Sequence, residues 1–237
     1  MTFTTDAWAR TAGLRAAIDG SAFLAALGDG TLDPRSFRHY LEQDELYLAG
    51  YGRALALLAA RSPQPAASAF WATSAAGASV VESALHADLL ASGLLPPAEG
   101  APVASPTTLG YVSYLVATAA TAPYPVAAAA VLPCFWVYAD VAARLAAAAR
   151  ASSAASSAAG EDGARPEHPY ARWIATYDAP GFQESAATAR DHVDAAAEGA
   201  GAATLAAMHE AFATATRYEH LFWETCLERE TWELPLA

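Results

Sequence analysis

One thiol stands out among the residues able to do chemistry. Cys134 lies in Val131-Leu132-Pro133-Cys134-Phe135-Trp136-Val137-Tyr138. A thiol directly after a proline is expected near the start of a helical turn or at a proline kink, where unpaired backbone N–H groups stabilise a thiolate. Tyr138, four residues on, shares its helical face. A reactive cysteine flanked by aromatics suits covalent addition to a flat, electron-poor ring. An isolated cysteine more often serves as a small core hydrophobe, so its chemical neighbours decide between the two readings.

Two further segments hold polar groups where a core helix would carry aliphatics. Between Tyr40 and Tyr51, the residues Asp44, Tyr47 and Tyr51 fall at i, i+3 and i+7 and share one face with apolar neighbours such as Leu48. That pattern points Asp44 inward, where a carboxylate needs a partner. Glu42 and Glu45 fit a solvated stripe instead. In Tyr218-Glu219-His220-Leu221-Phe222-Trp223, Glu219 sits among aromatics, with Phe222 three residues on. Desolvation there raises a carboxyl pKa toward the range useful to a general acid or base. A surface glutamate at the end of an amphipathic helix explains this segment equally well. Tyr111, Tyr114 and Tyr177 add phenols, each of which alone reads as a core aromatic.

Helices must position these groups. The chain has 237 residues, 54% of them hydrophobic and 16% charged. Alanine and leucine dominate, and β-branched runs are scarce, which predicts an all-α domain. Periodicity and Gly/Pro punctuation predict a single domain over 1–237 with about seven helices. These run roughly over 6–27 (interrupted near Gly20), 34–61, 66–92, 106–123, 125–148, 168–198 (broken near Pro180-Gly181) and 202–229. The Ala/Ser/Gly stretch 151–166 reads as a mobile surface loop.

Bulk properties narrow the partners. A net charge of -12 repels phosphate backbones, which argues against nucleic acid. The densest apolar stretch, about 124–149, is interrupted by Pro133 and Asp140, so no membrane span is expected. The N-terminus lacks the basic start and apolar core of a signal peptide. The two cysteines, Cys134 and Cys226, make no disulfide framework. A cytoplasmic setting with reduced thiols is the expectation.

Taken together, these motifs resemble a known family. Gln43-Asp44 with Tyr47-Leu48 and Tyr51, Leu132-Pro133-Cys134 with Trp136 and Tyr138, His168-Pro169-Tyr170 with Trp173-Ile174 and Tyr177, and Tyr218-Glu219 with Phe222-Trp223 follow the order and spacing of the TenA family. These are the thiaminase II, or aminopyrimidine aminohydrolase, proteins. Leu27-Gly28-Asp29-Gly30-Thr31-Leu32 with Phe37 and Tyr40 also looks like the family pattern. The resemblance covers nearly the whole chain and places it with the cysteine-bearing branch.

It implies a heme-oxygenase-like helical bundle assembled as a homotetramer, with no metal and no organic cofactor. The implied reaction is hydrolysis at the methylene carbon of a 4-amino-2-methylpyrimidine, with the aminomethylpyrimidine or thiamin as small-molecule substrate and the hydroxymethylpyrimidine as product. By the resemblance, Cys134 is the nucleophile and Glu219 the acid/base. Asp44 holds the amino edge of the pyrimidine, and Tyr47, Tyr111, Tyr138, Tyr177 and Phe222 line the pocket. The chain departs from the family in having Ser21-Ala22-Phe23 where many members have His-Pro-Phe, and in a longer 151–166 stretch.

Rival readings use other residues. A heme oxygenase needs an early axial histidine, and the earliest here is His39. A non-heme di-iron oxidase needs clustered carboxylates and histidines. Glu82 and His86, with His209-Glu210 and Glu219-His220, would have to supply them, although Glu-x-x-His pairs are lacking. A non-catalytic pyrimidine-binding or regulatory protein is the third reading.

Overall fold

Helix starts are written in the local sequence. Asp33 and Ser105 accept backbone N–H bonds from Arg35 and Thr108, and a proline follows each of them at the first helical position. Gly30 ends its helix in the left-handed conformation at φ 82°, which costs glycine nothing. The computed structural model describes residues 1–91, 95–98, 100–158 and 168–233, and the side chains within them except those of 79–91 and 152–158.

Among the described residues there are ten helices and no strand: α1 (Phe3–Arg10), α2 (Ala12–Asp19), α3 (Ala22–Asp29), α4 (Pro34–Arg61), α5 (Pro65–Ala91), α6 (Pro106–Thr121), α7 (Tyr124–Ala158), α8 (Ala171–Tyr177), α9 (Pro180–Ala197) and α10 (Ala202–Glu228). The expected seven become ten because two predicted segments divide. The segment from 6 to 27 becomes three helices, with breaks at Thr11 and at Gly20-Ser21. Thr11 bonds its own hydroxyl back to the Ala7 carbonyl at 2.9 Å, which favours a helix end. The 168–198 segment splits at Asp178-Ala179, just before Pro180, whose ring disfavours helix at the preceding residue.

Two expectations for α7 need correction. Pro133 lies inside this helix rather than breaking it. An interior proline removes one backbone bond and costs roughly 3 kcal/mol, which burial on both flanks offsets: Ala127 to Leu132 are all at most 1% exposed before it, and Phe135 and Val137 are buried after it. By length and composition Tyr124–Ala151 could therefore cross a membrane, yet 78% of its apolar window is buried inside the bundle. It is a core helix. The same helix continues to Ala158, so the first half of the stretch expected as a loop is helical, and 159–167 lie outside the described residues.

The long helices form the frame. α4 packs on α5 and α6, and α7 packs on α9 and α10. Arg61 donates to the carbonyls of Ala119 and Ala122, tying the C-terminal ends of α4 and α6 together. Asp194 of α9 accepts from the backbone N–H and the hydroxyl of Thr4 at 2.8 and 2.9 Å, which straps α1 across the bundle. At Gly50, α4 and α6 approach so closely that a β-carbon would collide with Val112. Trp71, Trp173 and Trp223 are fully buried and fill the space between the layers.

Candidate active site

The i, i+3, i+7 face of α4 turns inward. Asp44, Tyr47 and Tyr51 are all at most 3% exposed. They line a cavity of about 420 Å³ together with Cys134 and Tyr138 from α7 and Tyr177 from α8. Helix α5 adds Phe70, Thr73, Ser74 and Gly77, and α9 adds Phe182 and Ser185. The cavity therefore has a buried floor of Asp44 and phenols, while Ser74, Gly77, Phe182 and Ser185 at its other end are half-buried and Thr73 is exposed.

Cys134 is half-buried on this cavity. It sits mid-helix after Pro133, so it has no helix N-terminus beside it. Its neighbour is the Tyr51 hydroxyl, which donates to the Val131 carbonyl at 2.9 Å and also bonds the thiol. Burial first, and then negative charge at Cys134, push the Tyr47 and Tyr51 hydroxyls well above their ordinary pKa. These phenols stay neutral, and the single Tyr51 proton is already given to the Val131 carbonyl.

Asp44 is held by its own helix. The Tyr40 hydroxyl lies 3.5 Å from Asp44 Oδ2, and it accepts from Trp173 Nε1 at 3.2 Å. Tyr40 is thus an orienting residue that sequence reading left in the core. Gln43, adjacent in the motif, does different work. Its amide donates to the Val103 carbonyl and accepts from the Ser105 N–H, both at 2.9 Å, which fixes the entry to α6.

Three expected site residues lie one layer behind the cavity wall. Glu219 is 1% exposed and accepts a hydrogen bond from the Tyr111 hydroxyl at 2.6 Å. The Tyr111 ring packs on Tyr47 at 4.9 Å, and Phe222 lies 5.8 Å from Tyr47. Burial raises the Glu219 pKa to about 8; the Tyr111 bond pulls it down, and the nearby Asp44 charge pushes it up. The expected desolvated carboxyl is present, and near neutral pH it carries a proton. Glu219, Tyr111 and Phe222 support the wall rather than line it.

Other motif residues hold the frame. Trp136 faces away from the cavity and stacks on Trp8 at 3.9 Å. His168 bonds the Gly28 carbonyl at 3.0 Å, and Tyr170 donates to the Leu32 carbonyl at 2.6 Å, so the His-Pro-Tyr segment clasps the turn after α3. His39 lines a separate surface groove with Arg35 and Arg38. His209 pairs with Asp6 at 3.2 Å, far along α10 from Glu219. Among the described residues no three potential ligands gather for a metal, and the side chains of Glu82 and His86 lie outside them.

Besides Tyr40, the residues missed by sequence reading are those of α5 and α9. Thr73-Ser74-Ala75-Ala76-Gly77 reads as helix filler. Its one signal is the want of any large apolar residue over five positions, which is what a helix beside an open cavity requires.

Known proteins agree with this architecture. Residues 22–229 match the TENA/THI-4/PQQC family. The chain is 36% identical over 230 residues to a thiamine biosynthesis multifunctional protein ThiED from Corynebacterium efficiens, covering 97% of this chain and 29% of that protein. It therefore spans under a third of the length of the ThiED relatives it matches. It is 30% identical to an aminopyrimidine aminohydrolase from Halalkalibacterium halodurans, covering 89% of this chain and 88% of that one. A solved TenA homologue protein from P. horikoshii superposes with a TM-score of 0.80 at 23% identity, covering 97% of this chain and all of that one. On a heme-oxygenase-like helical bundle, the chain belongs to the TENA/THI-4/PQQC family.

Proposed function

We propose that the chain is a hydrolase of thiamin salvage, which converts 4-amino-5-aminomethyl-2-methylpyrimidine, and thiamin, to the hydroxymethylpyrimidine. The observation that carries this reading is the meeting of Cys134, Asp44 and an aromatic wall on one cavity, with the protonated Glu219 directly behind it. Relatives named aminopyrimidine aminohydrolase, at 28% and 30% identity, support the same activity. The cytoplasmic setting and homotetrameric assembly belong to this reading as well.

The chemistry follows from the residues. The pyrimidine stacks among Tyr47, Tyr138 and Tyr177, and Asp44 accepts from its amino group. The Cys134 thiolate adds to a ring carbon while a ring nitrogen gains the proton that Glu219 gives up. Ring aromaticity is lost, and the electron pairs freed expel the leaving group with the bonding pair of its C–N bond, as ammonia from the protonated aminomethyl group or as the neutral thiazole from thiamin, the proton that water later loses passing to solvent. Water adds to the exocyclic methylene and loses a proton. Expulsion of the thiolate restores the ring, and the ring-nitrogen proton returns to Glu219. The balance is one water consumed and one ammonia or thiazole released.

Incubating the purified protein with the aminomethylpyrimidine and with thiamin, and identifying the product by mass, tests the proposal. Hydroxymethylpyrimidine from either compound is the expected result. Specific binding without product would leave the non-catalytic reading standing instead.

A further inference from the structure

Among its described lining residues the cavity has an acid and no base. Of these residues Asp44 is charged, and none is a cation. The whole chain has thirteen arginines and no lysine. Thr73, Ser74 and Ser185 instead give the mouth uncharged hydroxyls, between the rings of Phe70 and Phe182. One feature there attracts anions, the N-terminus of α9 at Gly181, and it is blunted. Pro180 has no N–H, and those of Phe182 and Gln183 already donate to the Ala179 carbonyl at 3.0 and 3.2 Å.

From this we infer that the site selects against phosphorylated substrates: the leaving-group end accepts neutral or cationic groups and rejects phosphate esters. The inference rests on the aminopyrimidine reading above and names the substrate class within it. A phosphate brought to this mouth would lose its hydration, meet no arginine among the described lining residues, and feel the -12 net charge of the chain with Asp44 deeper in the same cavity. A thiazolium or ammonium group would be drawn in by the same field. The enzyme would act after any phosphate has been removed, so a phosphate-ester hydrolysis must supply its substrate when the source is phosphorylated.

Calorimetric binding to the Cys134→Ala variant separates the cases, because turnover cannot blur it. Thiamin and thiamin monophosphate share the pyrimidine and differ in one ester. The monophosphate should bind roughly ten- to a hundredfold more weakly, a gap that narrows with added salt. Ser74→Arg, which places a cation at the mouth, should narrow it too. Equal or tighter binding of the monophosphate would overturn the inference. If the ranking holds but the wild-type protein hydrolyses neither thiamin nor the aminomethylpyrimidine, the selection stands and the hydrolase reading fails. If neither compound binds, both fall together.

Discussion

Two cysteines sit in long apolar helices, and only one is placed to react. Cys134 of α7 opens onto the cavity beside the Tyr51 hydroxyl. Cys226 of α10 is 1% exposed, and burial, followed by the Asp44 and Glu230 charges, pushes its thiol well above the usual range. Residue type and helix composition are shared; access and neighbours differ. Access to the cavity, and not residue type, is thus what separates the two thiols, and the one in the closed core packs as a small hydrophobe.

The sharpest way to break that contrast is to delete each thiol. Cys134→Ala should melt like the wild-type protein and lose turnover by about a thousandfold or more. Cys226→Ala should keep its kcat and lose roughly 1 kcal/mol of stability. Iodoacetamide should label Cys134 alone, and bound pyrimidine should protect it. Peptide mapping that finds Cys226 modified first would reverse the assignment.

Glu219 extends the comparison from thiols to carboxyls. Glu219→Gln keeps the shape but cannot cycle a proton, so kcat should fall roughly 100- to 10,000-fold with ligand binding retained. In the wild type the rate should decline as pH rises through about 8, where Glu219 loses its proton. Stability carries the same sign. The folded pKa of about 8 lies above the ordinary value of 4.5, so the contribution is full below about 4.5 and is lost as pH climbs through about 8. Wild-type melting temperatures should therefore drop relative to Glu219→Gln across that window. Parallel melting curves for the two proteins would show that the carboxyl titrates normally.

Among the cavity variants the smallest effect belongs to Asp44. Asp44→Asn presents a donor to the substrate's amino group and should weaken hydroxymethylpyrimidine binding by about 1–3 kcal/mol, with less effect on kcat. Unchanged affinity in a titration would remove Asp44 from the recognition role.

What the sequence made legible was periodicity on single helices. The Asp44/Tyr47/Tyr51 face follows from spacing alone, and the desolvation of Glu219 follows from its aromatic neighbours. What a helix faces across the bundle was less legible. Glu219 and Tyr111 lie behind Tyr47, and nothing in their local sequence distinguishes wall from support. Ser74 and Ser185 are small because space beside them is open, and small residues also fill tightly packed helices. Pro133 reads as punctuation locally, and only the burial on both sides of it keeps α7 continuous.

The contact at Gly50 links the scaffold to the chemistry. Val112, which leaves no room for a side chain there, follows Tyr111 directly, while Tyr47 and Tyr51 flank Gly50 on the other helix. The tolerance of this position to mutation is accordingly lopsided. A larger residue would lever α6 outward and carry Tyr111 away from Glu219 without touching substrate. Random mutagenesis scored by solubility would pass many such changes, whereas scoring by ligand binding at the cavity would reject them.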